Sequence, residues 1–318
     1  MALDQIAVSD RNFDRFALLL IDNVVELTLH KFAEDMDQEN KVYRYYKESP
    51  QFDEQAVERA LNNDFKAKVA LASSLGLLSE ASAQSLRTLH AFRNTAYHRG
   101  VRHEGILHSL AIFYAKNACM LLREYKPRVQ SHGSDDSVSH RARKYIGSSR
   151  ELFSASPLES AYVRLSEVAD AFEKRMIEDL ASDMEATIDD FDGTLEFWVE
   201  NNPNAHSRDE EIISVQAWHL AFSEEGRKFA SSRDYAAKNH FELVQWFIET
   251  FPWKVKSDPV VAWRKRLESL REEVDEHTAL RKYDAFMRQT AALRGIFAEA
   301  ARRLDDDIQL QIDIMRGK

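Results

Sequence analysis

Apolar residues recur at steps of three and four along almost the whole chain, with few interruptions. Phe13, Phe16, Ala17, Leu20, Val24 and Leu27 open the pattern; Leu107, Leu110, Ala111, Tyr114, Ala118 and Leu121 repeat it; Trp263, Leu267, Leu270 and Val274 carry it toward the C-terminus. On a helix these steps fall on one face, whereas a strand would scatter them over both. The 318 residues include only nine Gly and six Pro, too little turn-forming material for a β-sandwich or barrel. The spacing predicts an all-α fold.

Punctuation divides the chain. The first helix is expected from Phe13 to about Glu34. Leu18, Leu19, Ile21 and Val25 add apolar surface beyond its main stripe. That surface predicts burial on more than one side, at the centre of a bundle or at a dimer seam. The charged stretch 35–49 carries Tyr43, Tyr45 and Tyr46, read as half-buried packing. A second helix, about Asp53 to Leu75, is stopped by Gly76; Ser79 caps a third, and a fourth runs from about Glu104 to Glu124. Four helices with short connections make a bundle over residues 1–127.

Residues 128–156 are polar and partly basic, and read as a linker or a loop. Residues 157–318 read as a helical, coiled-coil-like interaction domain. Its starts are marked by Ser156-Pro157-Leu158-Glu159, Ser207-Arg208-Asp209-Glu210 and Asp258-Pro259. The stretch from Pro259 to Arg316 is either one helix of about 85 Å or a hairpin bent near Gly295 or Glu276-His277. The Asp189, Asp190, Asp192 and Asp305, Asp306, Asp307 clusters read as solvated acidic faces, and most tryptophans as core.

The chemistry concentrates in Arg93-Asn94-Thr95-Ala96-Tyr97-His98, at the end of the third helix. An imidazole transfers protons near neutrality, and a guanidinium suits the charge that develops on phosphate oxygens. Together they supply what attack of a ribose 2′-hydroxyl on the adjacent phosphate requires. Asn94 suits orientation of the hydroxyl or the imidazole. On one continuous helix, five residues turn about 140°, so Arg93 and His98 meet only through a break near His98 or a second copy of the motif.

An arginine, a polar residue and a histidine four to six positions on, at a helix end in an all-helical setting, resemble the HEPN superfamily of ribonucleases. The resemblance covers roughly the first half of the chain and is best between about Leu77 and Gly100. It implies Arg93, Asn94 and His98 as catalytic residues. It further implies a homodimer with motifs facing each other, no cofactor and no metal, and a toxin or phage-defence role with a regulatory or antitoxin protein as partner. Tyr97, Arg99, Arg102 and His103 are the candidates to hold the RNA. Members controlled by a nucleotidyltransferase antitoxin carry a tyrosine two positions after the histidine. Here that position is Gly100, which removes that route of control.

Charge sharpens both this reading and its rival. From Arg87 to Arg150 twelve Lys and Arg face four Asp and Glu, a net +8 within a chain of −10. Such a zone attracts phosphate, and serves equally to dock the protein's own acidic half. Cys119 is the only cysteine, so no intramolecular disulfide is possible. No run approaches the roughly 18 apolar residues of a membrane span, and a soluble, cytoplasmic protein is expected. His90, His103 and His108 lack Cys or carboxylates at zinc-ligand spacing and read as satellite or structural residues. The alternative function is a non-catalytic helical protein that dimerises or binds a protein or nucleotide.

Overall fold

A computed structural model describes residues 1–62, 64–98, 104–127, 139–146 and 155–316, and their side chains except those of 95–98, 104 and 155–158. The described residues are helical, with no strand among them. They fall into two compact units. The first comprises Met1–Leu180 and Glu273–Arg281, the second Ala181–Glu272 and Lys282–Lys318.

The first unit is built on one long helix, α2 (Arg11–Tyr45), preceded by α1 (Ala2–Ile6). Around them pack α3 (Glu54–Leu61), α4 (Phe65–Ser74), α5 (Glu80–His98), α6 (Leu107–Glu124, after a 3-10 turn at Glu104–Ile106), α7 (His140–Ile146) and α8 (Ala155–Asp170). α2 touches α1, α3, α4, α5 and α6, and α6 touches α8. The core between them holds Leu18, Val25, Leu29, Leu86, Leu89, Leu110 and Tyr114, all at 1% exposure or less.

Local chemistry explains the helix ends. Asp10 accepts from the Asn12 amide and starts α2. Gly76 at φ +79° ends α4 as a Schellman motif, with Leu77 N–H on the Ala72 carbonyl and Gly76 N–H on that of Ser73. Ser79 then accepts from the Ser82 amide and opens α5. The expected second helix is two. Asp64 caps α4 through the Lys66 and Ala67 amides, so α3 stops at Leu61 and a new helix begins.

α2 departs from expectation twice. It continues eleven residues beyond Glu34 to Tyr45, because Asp35 and Asn40 find buried partners: Asp35 accepts from Tyr125 at 2.7 Å, and Asn40 bonds both the N–H and the carbonyl of Phe52 at 3.0 Å. Tyr45 and Tyr46 at its end are exposed rather than half-buried. More important, four residues of the main apolar stripe face outward, while Ala17 is fully buried and Leu20 half-buried. Phe13, Phe16, Val24 and Leu27 are 40%, 57%, 41% and 67% exposed, while Leu18, Ile21, Val25 and Leu29 form the inner face. α2 carries two apolar arcs, and the core covers only one.

In the second unit lie most of α9 (Met176–Asn201), then α10 (Arg208–Ala221), α11 (Glu224–Ser232), α12 (His240–Thr250), α13 (Val260–Arg271) and most of α14 (Glu276–Met315). Ser207 and Glu210 form the expected reciprocal capping box at the start of α10. Asp258 accepts from the Val260 amide two positions ahead of the first residue of α13, with Pro259 between them at the N-cap. The C-terminal stretch is a hairpin that turns at residues 272–275, and α14 continues unbroken through Gly295. Trp263 lies against Phe286 and Lys282 reaches the Ser269 carbonyl, which sets α13 and α14 antiparallel. Ala217, Leu220, Val244 and Phe247 make a core joined by Phe229, Trp246, Phe251 and Trp253. Asp189 and Asp192 are not simply solvated: Arg264 pairs with both, and Arg208 bridges Asp192 and Asp258.

Candidate active site

The inner face of α2 carries acids as well as apolar residues: Asp14 and Asp22 capture polar groups from other helices, and Asp35 one from just beyond α6. Asp14 meets His108 Nδ1 at 2.9 Å, and burial holds its carboxyl above the usual range against the pull of that imidazole. Asp35 meets Tyr125. Between them Asp22, fully buried, gathers three partners. Buried polar atoms must be compensated within the protein, so these contacts fix the register of α2 against α5 and α6.

His90 Nδ1 lies 2.9 Å from Asp22 Oδ1, and the Tyr114 hydroxyl donates to the same oxygen at 2.6 Å. Arg93 Nε stands 3.3 Å from Asp22 Oδ2, an ion pair without hydrogen-bond alignment, since neither atom makes a hydrogen bond. Arg93 Nη1 also donates to Asn94 Oδ1 at 2.8 Å. The His90 ring stacks on Phe65 of α4, centroids 4.0 Å apart and 6° from parallel. One turn along α2, Glu26 lies 3.4 Å from the buried Lys68, which donates to the Asn62 carbonyl at 2.8 Å. Burial, reinforced by the Asp22 charge, pushes the Tyr114 phenol well above its ordinary range, so it serves as a donor.

This arrangement has a definite chemical capacity. A carboxylate only accepts, so the neutral imidazole carries its proton on Nδ1 and leaves the Nε2 lone pair available. Nε2 has no hydrogen-bond partner among the described residues, and the His90 side chain is 23% exposed. The ring is therefore held by a carboxylate on one edge and an aromatic face beneath, with its other nitrogen open to accept a proton. Three residues on, about 60° round the helix, Arg93 presents a guanidinium that is 25% exposed.

The motif residues divide. Arg93 and Asn94 are described and in contact with each other. α5 continues unbroken to His98, which places position 98 about 140° round from Arg93 and about 40° from Asn94. Tyr97 shares the Arg93 face by position. The side chains of Tyr97 and His98, and Arg99, Gly100, Arg102 and His103 altogether, lie outside the described residues, as does most of the 128–156 segment. His90 was legible as a satellite of the motif, one turn before Arg93, but not as a partner of Asp22; Asp22 and Tyr114 were not legible as site residues, and the one signal for Asp22 is an aspartate among the apolar residues of the first helix.

Among the described residues no three His, Cys, Asp or Glu stand together as a metal-binding group, and no helix is long and apolar enough to cross a membrane. Compared with protein-family models, curated proteins and solved structures, the chain matches none.

Proposed function

We propose that this chain is a metal-independent endoribonuclease that leaves 2′,3′-cyclic phosphate and 5′-hydroxyl ends. The observation that carries the reading is the Asp22–His90–Arg93 cluster: an imidazole fixed by a buried carboxylate, with an open Nε2, one helical turn from a guanidinium. His90 Nε2 takes the 2′-hydroxyl proton as the 2′-oxygen bonds to phosphorus. The bond from phosphorus to the 5′-oxygen breaks, and the leaving oxygen takes a proton from His98 of a second copy, the facing arrangement the HEPN resemblance implies, because the unbroken α5 holds position 98 about 140° round from Arg93 of the same chain. Arg93 balances charge on the phosphorane oxygens, and Asn94 orients the reacting groups. Tyr97, Arg99, Arg102 and His103 hold the strand. The resemblance adds a cytoplasmic toxin or phage-defence setting with a regulatory protein partner.

A second reading draws on a different observation. The unbroken α5 separates the Arg93 and His98 positions, which suits a non-catalytic dimerisation or binding module in which Asp22 anchors Arg93 for stability alone.

Cleavage of total RNA by the purified full chain separates the two. Arg93→Ala is expected to cut the rate by about 10²-fold, the scale of one lost electrostatic stabiliser, with Arg93→Lys intermediate because it keeps the charge and loses the fork. Equal rates for wild type and both variants contradict an active site at Arg93.

A further inference from the structure

We propose that the second unit holds a binding site for a small organic cation, an ammonium carried on an apolar body, in the groove between α10 and α14. None of its residues is invoked for cleavage, and the proposal does not depend on that reading.

The sequence builds the groove from rows of side chains. On α14, Ile296, Ala300 and Leu304 recur at steps of four and make an apolar row; Glu299, Arg303 and Asp307 recur at the same step beside it. From α10 come Trp218 in the last turn and Phe222 at the C-cap, four residues apart and so on one face. Trp198 of α9 completes a cavity of about 400 Å³, a size ordinary for small-molecule sites.

The rings are set before anything binds. Trp198 Nε1 donates to Glu211 Oε2 at 2.8 Å, and Glu211, only 3% exposed, also accepts from the His206 amide at 3.1 Å. That buried carboxylate anchors the indole. Trp218 and Phe222 lie 15° from parallel with centroids 6.3 Å apart, and Phe222 stacks in turn on His240 at 4.6 Å. Trp218 and Phe222 nonetheless remain 39% and 61% exposed. Large aromatic side chains that are ordered by their neighbours yet uncovered on a concave wall suit a ligand that covers them.

Charge decides which ligand. The face of an aromatic ring is negative and attracts a cation. Hydrogen bonds from Arg302 and Arg303, at 3.2 and 2.8 Å, hold the Glu299 carboxyl below its usual range. Glu299 and Arg303 therefore balance each other on the wall. Asp307, one turn further along α14, is exposed and has no ion pair or hydrogen bond among the described residues. Of the permanent charges on the wall it alone is unbalanced, and the same wall carries three aromatic rings. An anion is repelled by that carboxylate and by the ring faces, and a neutral molecule gains nothing from either. An ammonium satisfies both.

The test titrates the full chain with choline, followed by calorimetry and by tryptophan fluorescence at constant ionic strength. Choline is expected to bind with a Kd below about 5 mM, within what about seven non-hydrogen atoms can supply. Its neutral carbon isostere, a dimethylbutanol with tert-butyl in place of trimethylammonium, is expected to bind at least about tenfold more weakly, the scale of a desolvated contact between a cation and a ring. Trp218→Leu keeps an apolar side chain and removes the ring; Asp307→Asn removes only the charge. Each is expected to weaken choline by about fivefold or more with unchanged circular dichroism, because both positions are already exposed. A choline Kd above about 5 mM overturns the proposal, as does equal affinity for the isostere. Variants that both bind choline as tightly as wild type remove the cation from this groove and overturn it too. Tighter binding of adenosine monophosphate than of choline assigns the groove to an anion and equally overturns it.

Discussion

Loss of either imidazole is expected to slow RNA cleavage by about 10²–10⁴-fold, the range of one missing proton-transfer group. For His90 the informative variant is Asn, whose amide N–H replaces Nδ1 as donor to Asp22 while nothing replaces Nε2. His90 reaches the Asp22 carboxylate at 2.9 Å, so the packing around α2 survives and the rate falls. His98→Ala removes the other group. A His90→Asn enzyme with the full rate would reduce His90 to a structural partner of Asp22.

Asp22→Ala is expected to destabilise the first unit by about 2–4 kcal/mol. Its removal orphans the Tyr114 hydroxyl in a fully buried position and takes the counter-charge from Arg93. Breaking a buried pair by removing one partner costs about 3–5 kcal/mol. The lower figure applies because the Arg93 and His90 side chains are about a quarter exposed and water replaces part of what is lost. Urea unfolding followed by circular dichroism measures the change, and hydrogen exchange at α2, α5 and α6 locates it. Asp22→Asn, which keeps an acceptor for Tyr114 and loses the charge, is expected to cost less than Ala. A change below about 1 kcal/mol for Asp22→Ala would mean that the cluster is not what holds α5 and α6 to α2.

Much of the helical architecture was readable from local chemistry. The Ser79 cap, the Gly76 stop and the Ser207–Glu210 box act over a few residues, and the structure shows each of them. What failed was whatever depended on distant partners. The polar run 35–45 stays helical because Tyr125 and the Phe52 backbone, 90 and 12 residues away, satisfy Asp35 and Asn40. Periodicity found the stripe on α2 but could not say which of its two apolar arcs faces the core. The inner one was decided by the acids: Asp14, Asp22 and Asp35 need buried donors, and those donors sit on α5, on α6 and just beyond it. The candidate site shows the same division. Arg93 and Asn94 are neighbours in sequence and in space, whereas the Asp22–His90 contact joins residues 68 apart and leaves no trace in the spacing of either.

The most direct test of the central claim is to incubate the purified chain with an RNA labelled at one internal phosphate, in excess EDTA, and to identify both new ends. The account predicts cleavage that persists in EDTA, with a 2′,3′-cyclic phosphate on one fragment and a 5′-hydroxyl on the other. It also predicts failure on a substrate whose nucleotide at the cut carries 2′-deoxyribose. Cleavage that stops in EDTA, or that leaves 5′-phosphate and 3′-hydroxyl ends on the deoxy-substituted strand, would contradict it, because the attacking group would then not be the ribose hydroxyl.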